Sequence, residues 1–300
     1  MESRVLIDAG LVLEGGGTRT FFTAGILDYL MEQGLYFKYV YSVSASAYVA
    51  MSYISKQIGR TKKSIIDYAK VEPPFSWKSF FKTGNVFNKD LLFNRLPNEI
   101  MPFDYDEFFN SGQTLTMSLT DLRSGEPVYL NEYANGEELM NMCCASNSFP
   151  IMSKTQFLDG RPMTDGGMAD AIPVRKAIEE GREKLMIILT QQCRFRKKAK
   201  TSHLLTSRYF WHRKYVKTIK ERPKKYNADL DYIDELVRKN KAIAFYPEID
   251  PPRLICRDYD KLEAFYKHGY EMGERIIGRI REFFADEIKK AEKLVKPEEA

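Results

Sequence analysis

The chain is predicted to fold as an α/β protein: a mostly parallel sheet covered on both faces by helices, with a mainly helical C-terminal extension. Two observations predict this. Short apolar runs rich in β-branched and aromatic residues alternate with helix-period patterns up to about residue 195. Beyond that point the strand signals thin out and the chain turns basic and helical. The expected division is therefore residues 1–195 and 196–300.

Taken in order, Gly10–Glu14 reads as a strand that ends in Gly15-Gly16-Gly17. A helix follows with Phe22, Ile26, Leu27 and Leu30 on one face, stopping at Gly34. Phe37–Val43 is a second strand, and a helix is expected over about 45–57. Residues 70–110 carry Pro73, Pro74, Pro97 and Pro102 among many aromatics. They read as an irregular excursion, either a lid or pocket wall or a packed segment with its own apolar cluster. Strands are predicted at Thr114–Leu119, Val128–Leu130 and Lys184–Thr190, with a helix over Val174–Glu180. Asp159-Gly160 has the chemistry of a hairpin turn, which leaves Asp165 at the end of a short strand. Further on, a short strand is expected near Ala242–Tyr246. A long helix is expected from Asp260, capped by Asp260 and Glu263, with Leu262, Phe265, Gly269, Met272, Ile276 and Ile280 recurring on one side.

Composition narrows the function. With 46 Lys+Arg against 41 Asp+Glu, 44% hydrophobic and 29% charged residues, the chain has the make-up of a globular protein. No run approaches the roughly 18 apolar residues a spanning helix needs, and charge interrupts the first residues too early for a secretory core. Cys143, Cys144, Cys193 and Cys256 match neither a disulfide framework nor a metal-binding spacing, so a reducing, cytoplasmic setting is expected. His203, His212 and His268 are the only imidazoles. No metal and no cofactor is expected, and whatever chemistry occurs must use little histidine.

Three motifs can carry chemistry. Gly15-Gly16-Gly17-Thr18-Arg19-Thr20, between a strand and a helix, offers bare N–H groups to an anion. It departs from the dinucleotide-binding pattern at Thr20, and no acid ends the next strand. Ser42-Val43-Ser44-Ala45-Ser46 lies at the next strand-to-helix junction, where a nucleophile elbow needs small residues on either side of the nucleophile. Thr164-Asp165-Gly166-Gly167 follows the hairpin. Each has a bland reading as a tight turn or a close helix–sheet contact. All three follow strands, and open sheets bind ligands beyond the carboxyl ends of their strands.

Together and in this order the motifs resemble the patatin-like phospholipase family, in its bacterial branch. The resemblance covers roughly residues 8–195 and includes Ala24-Gly25-Ile26-Leu27, Cys144-Ala145-Ser146, Phe149-Pro150 and Pro173-Val174-Arg175-Lys176-Ala177. It implies a three-layer α/β/α fold and a carboxylic-ester (lipid acyl) hydrolase of the phospholipase A type. It also implies Ser44 as nucleophile, Asp165 as its base, and the amides of Gly15, Gly16 and Gly17 as the oxyanion hole. Arg19, Gly166 and Gly167 would support the site, and an acyl ester or phospholipid would be the substrate. The sequence departs from the family where Thr20 follows Arg19 and where Ser42 and Ser46 replace the elbow glycines. A glycine-only backbone angle at position 42 or 46 would strain the elbow by about 1–3 kcal/mol.

Aspartate can replace histidine as base if burial raises its pKa, with preorganised N–H donors supplying more of the rate. Three alternatives stand beside this reading: a Ser–His–Asp triad using His203, His212 or His268; a lipid- or anion-binding protein with an impaired site; and nucleotide binding at the glycine loop. Between Arg194 and Lys225 there are thirteen basic residues and one acid, Glu221. Arg194, Arg196, Lys197, Lys198 and Lys200 either draw the protein to anionic lipid headgroups or form a solvated face paired with acids. Tyr209, Phe210, Trp211 and Tyr215 at helical spacing read as core rather than as a nucleic-acid surface, so no nucleic-acid partner is expected. Oligomeric state is left open.

Overall fold

A computed structural model of the chain describes residues 4–76, 80–81, 83–199 and 203–295. Eight strands form one mixed sheet, in which β8-β7-β1-β2-β3 run parallel. They are β1 (Val5–Leu13), β2 (Leu35–Val43), β3 (Thr114–Asp121), β4 (Pro127–Leu130), β5 (Gln156–Leu158), β6 (Arg161–Asp165), β7 (Leu185–Ile188) and β8 (Ala242–Phe245). The hairpin strands β5 and β6, and β4, are antiparallel to their neighbours. Asp159 (φ 50°) and Gly160 (φ 71°) make the predicted turn, both left-handed as a two-residue hairpin requires.

Alternation along the strands sorts side chains to two cores. On β1, Leu11 and Leu13 enter one apolar cluster while Val12 enters the other. On β7, Met186 and Ile188 face the first, and Leu185 and Ile187 the second. The first face is covered by α1 (Thr20–Glu32), α2 (Ala45–Ile54), α3 (Gly136–Ser146), α6 (Tyr259–Phe283) and α7 (Ala285–Val295). The second is covered by α4 (Val174–Glu179) and α5 (Arg213–Arg238). This is the α/β/α sandwich expected.

The composition boundary at 195/196 is crossed by the sheet. Ala242 to Phe245 pair in parallel with Leu185 to Ile188, so a strand from the basic, helical part extends the sheet of the first part. Helix α6 lies on α1 so closely that Gly25 and Gly269 meet backbone to backbone: a Cβ on Gly269 would strike the Phe22 carbonyl, and one on Gly25 the Tyr266 carbonyl. Tyr266 also donates to the buried Asp28 carboxylate at 2.7 Å. The cap of α6 is Asp258, whose side chain accepts from Lys261 N–H at 3.2 Å, and not Asp260. Asp260 is already inside the first turn, since the helix begins at Tyr259.

The described residues between 70 and 110 are for the most part neither strand nor regular α-helix. Phe75 and Phe87 form an isolated antiparallel bridge with their rings edge to face, 5.4 Å apart. Leu91–Ile100 is a wide π-type helix containing Pro97. Of the aromatics after 205, Tyr209 and Tyr215 are buried as predicted, but Phe210 and Trp211 are not, and Trp211 is 88% exposed.

Because the α1–α6 crossing leaves no room for a side chain, Gly269→Val should lower unfolding free energy by about 2 kcal/mol or more. Urea denaturation followed by circular dichroism measures it, and an unchanged midpoint would refute so tight a crossing.

Candidate active site

Strand β3 organises the centre. Strand β4 pairs with residues 117–120 of β3, so β2 and β6 must both use the opposite edge. Strand β2 takes 114–118 and β6 takes 119–121. Val43 is therefore opposite Ser118, and Asp165 is opposite the next residue, Leu119. The two strands run at each other and stop, each delivering its last residue to one point. Asp165 ends the short hairpin strand β6, which runs antiparallel to β3.

Ser44 occupies the turn between β2 and α2 with φ 57° and ψ −131°, a left-handed conformation that favours glycine. Its backbone is held on both sides. The Ser44 N–H donates to Ser146 Oγ (2.9 Å), which in turn donates to the Ser118 carbonyl (2.8 Å). The Asn147 amide donates to the Ser44 carbonyl at 3.0 Å. From that turn Ser44 Oγ donates to Asp165 Oδ2 at 2.6 Å. Asp165 Oδ1 accepts from Gly167 N–H at 2.8 Å. Burial pushes the Asp165 carboxyl up to about 6, against the pull of the Ser44 and Gly167 hydrogen bonds and of the Arg222 charge.

None of the three departures from the family pattern requires a glycine. Neither Ser42, Ser46 nor Thr20 has a positive φ, Thr20 lying at −69°. The buried Ser46 hydroxyl accepts from Val43 N–H (2.9 Å) and faces the Leu13 and Val43 carbonyls. Ser42 Oγ is turned to the Thr116 carbonyl at 3.4 Å, and Thr20 Oγ1 donates to the Gly17 carbonyl at 2.8 Å. The anticipated elbow strain sits on Ser44 alone.

The glycine loop is less uniform than its sequence. Gly15 N–H donates to the Ala171 carbonyl at 3.2 Å and is used up there. The amides of Gly16 and Gly17 have no acceptor among the described residues and border the same cleft as Ser44 and Asp165. Of the three amides expected to line an oxyanion hole, those of Gly16 and Gly17 are free to donate among the described residues and that of Gly15 is not. Gly17 needs to be glycine twice over: its φ is +56°, and a Cβ would strike the Leu254 carbonyl. That carbonyl accepts from Thr18 N–H at 3.0 Å, and the Arg253 carbonyl accepts from Thr18 Oγ1 at 2.7 Å. Arg19 lines the cleft with its Nε buried and without a partner among the described residues. Gly166 packs directly on the Ser118 carbonyl, where a side chain has no space.

Several residues at the site are not assigned to it from the sequence, where Lys197 reads as part of a surface basic run. Arg222, on α5, donates from Nε to the Gly167 carbonyl at 2.5 Å. Tyr226, one turn on, donates to Glu14 at 2.7 Å, and Glu14 also accepts from Thr190 N–H at 2.6 Å. Lys197 and Leu254 line the cleft as well. All lie in the stretch from 190 to 254, far from the motifs in the chain. Histidine is not among the cleft residues: His268 stacks on Phe22 and accepts from Glu248 N–H, while His203 and His212 flank the exposed Phe210 and Trp211. Among the described residues no cluster of His, Cys, Asp or Glu suits a metal.

A second, apolar pocket begins beside Ala45, sharing Gly17 and Leu254 with the cleft. Phe75, Phe87, Leu92 and Phe93 from the 70–110 excursion wall it, facing Val49 and Ile65. The excursion is thus a pocket wall.

The model of the family described as patatin-like phospholipase matches residues 11–178, more than half of the chain. The chain belongs to the patatin-like phospholipase family. A second match, to a domain of unknown function, spans residues 212–285. Among curated proteins the chain is similar to the uncharacterized protein YjjU of Escherichia coli (strain K12), with 31% identity over 185 residues. That alignment takes in 60% of this chain and 51% of YjjU, so the chain spans about half the length of this relative. Among solved structures it is similar to VipD from Legionella pneumophila, with a TM-score of 0.48 and 12% identity over 93% of this chain and 71% of VipD. For this patatin-like chain, family membership carries the general expectation of lipid acyl hydrolysis.

If Ser44 stores backbone strain, Ser44→Gly should be more stable than Ser44→Ala by about 1–3 kcal/mol. Thermal unfolding of the two variants side by side tests this, and equal midpoints would remove the strain argument.

Proposed function

We propose that the chain is a serine carboxylic-ester hydrolase of the phospholipase A type, working through Ser44 and Asp165. The observation that carries this is the 2.6 Å hydrogen bond from Ser44 Oγ to a buried carboxylate, made from a strained elbow. Ser44 Oγ attacks the ester carbonyl carbon and its proton passes to Asp165 Oδ2. The C=O π electrons move to the carbonyl oxygen, which becomes an oxyanion received by the Gly16 and Gly17 amides. Collapse breaks the ester C–O bond, Asp165 returns the proton to the leaving alcohol, and an acyl-Ser44 remains. Water then attacks the acyl-enzyme with Asp165 again as base, releasing the fatty acid and restoring Ser44. The apolar pocket beside Ala45 suits the acyl chain.

Asp165 must be ionised to act as base. With its carboxyl raised to about 6, activity should be full above that pH and fall as pH drops through it. A triad is disfavoured because none of the three histidines borders the cleft. The impaired, lipid- or anion-binding alternative loses its motive, since Ser42, Ser46 and Thr20 adopt ordinary backbone angles.

A fluorophosphonate probe should label Ser44 in the full chain. Ser44→Ala and Asp165→Asn should each lower kcat/KM on nitrophenyl esters by about a hundredfold or more. Unlabelled Ser44 with unchanged turnover in Ser44→Ala would refute the proposal, and so would retained Asp165→Asn activity.

Peripheral membrane contact through the basic 194–225 segment, in a cytoplasmic setting, belongs to the same proposal. Arg196 is paired with Asp231 and Asp234. Arg208, Arg213 and Lys214 are exposed and form no ion pair among the described residues, beside the exposed Leu204, Phe210 and Trp211. Lys200 lies outside the described residues. Co-sedimentation should be stronger with anionic than with neutral vesicles, and Trp211→Ser should weaken it. Equal partitioning would refute the contact.

A further inference from the structure

The cleft at Ser44 holds more positive charge than the hydrolysis of a neutral ester uses. Arg19, Lys197 and Arg222 all line it. The two acids nearby are committed elsewhere: Glu14 to Tyr226 and the Thr190 amide, Asp165 to Ser44 and the Gly167 amide. None of the three cations forms an ion pair among the described residues. Arg19 Nε is buried and has no acceptor among the described residues. Arg222 donates from Nε to the Gly167 carbonyl, and neither of its Nη groups has a hydrogen-bond acceptor among the described residues. The Lys197 ammonium sits 3.8 Å from the centre of the Tyr226 ring and has no hydrogen-bond acceptor among the described residues.

These cations are also held in place. The Lys197 N–H donates to Asn227 Oδ1 at 2.8 Å, and the Asn227 amide returns a bond to the Lys197 carbonyl at 3.0 Å. Asn227, Arg222 and Tyr226 share α5, so one helix fixes two of the three charges. Burial and the neighbouring Arg222 push the Lys197 ammonium down to about 7, a cost that a bound anion would offset. Two guanidinium groups with free, planar N–H pairs suit the oxygens of a phosphate better than those of a lone oxyanion.

We propose that Arg19, Lys197 and Arg222 form a phosphate-binding subsite in the cleft beside Ser44. It would recognise a phosphate carried close to the ester that Ser44 attacks, and it rests on the hydrolase reading above. A headgroup phosphate of the substrate and free inorganic phosphate present the same chemistry to it.

The test compares 1-acyl-glycerol 3-phosphate with 1-acyl-glycerol of the same chain, on wild type, Lys197→Met and Lys197→Arg. Wild type should favour the phosphate ester by about tenfold in kcat/KM; Lys197→Met should erase most of that ratio through KM, and Lys197→Arg should keep it. Equal kcat/KM for the two esters, or a Lys197→Met loss shared by both, overturns the subsite. Inorganic phosphate separates the sources. Competition with the phosphate ester alone points to the headgroup, competition with both esters points to free phosphate, and competition with neither overturns the proposal. If neither ester is turned over, the hydrolase reading has failed, and calorimetry on the Ser44→Ala chain still decides the subsite. Tighter binding of the phosphate lipid, lost in Lys197→Met, upholds it; equal binding of the two lipids overturns it.

Discussion

The arrangement at the centre depends on one edge of β3 being shared. Strand β2 pairs with it up to Ser118 and β6 from Leu119, from opposite directions. Backbone hydrogen bonds in a ladder are too directional to let either strand slide without breaking its pairing. A one-residue slip of β6 would turn Asp165 to the other face of the sheet. The 2.6 Å contact between Ser44 and Asp165 is thus a consequence of register, set by main chain before any side-chain chemistry.

The same region shows how the Ser44–Asp165 geometry is held at some cost to stability. Ser44 takes a backbone conformation that L-residues avoid, and Ser146 and Asn147 at the end of α3 pin its N–H and carbonyl. Asp165 is buried where its charge is poorly solvated, and its carboxyl rises toward the range useful for a base. Strain and desolvation of this kind persist when the surroundings over-determine them. Here the surroundings include α5, whose Arg222 bonds the loop after Asp165 and whose Tyr226 fixes Glu14 at the root of the glycine loop.

That dependence changes the meaning of the C-terminal third. Its composition differs from the rest, and a separate family model matches it. Yet β8 extends the sheet, α6 docks on α1 through a glycine contact, and the Arg253 and Leu254 carbonyls hold Thr18 in the glycine loop. A compositional boundary marks where the chain changes surface character. It does not mark where a core ends, because cores are closed by contacts between distant segments.

Much was legible in the sequence alone. Ser44 and Asp165 are named as a pair through the resemblance of three ordered motifs to a family, whereas strand and helix alternation and the hairpin turn at Asp159-Gly160 follow from local patterns of period and turn chemistry. These are properties of neighbours along the chain, so the sequence states them directly. Tertiary structure decided what depends on residues far apart. It directed Gly15 N–H to Ala171 and left Gly16 and Gly17 free, spared Ser42, Ser46 and Thr20 any strain, and brought Lys197, Arg222 and Leu254 to Ser44. Nothing in the spacing of those three residues encodes their meeting, since only the packing of α5 and the 249–258 loop onto the sheet makes them neighbours.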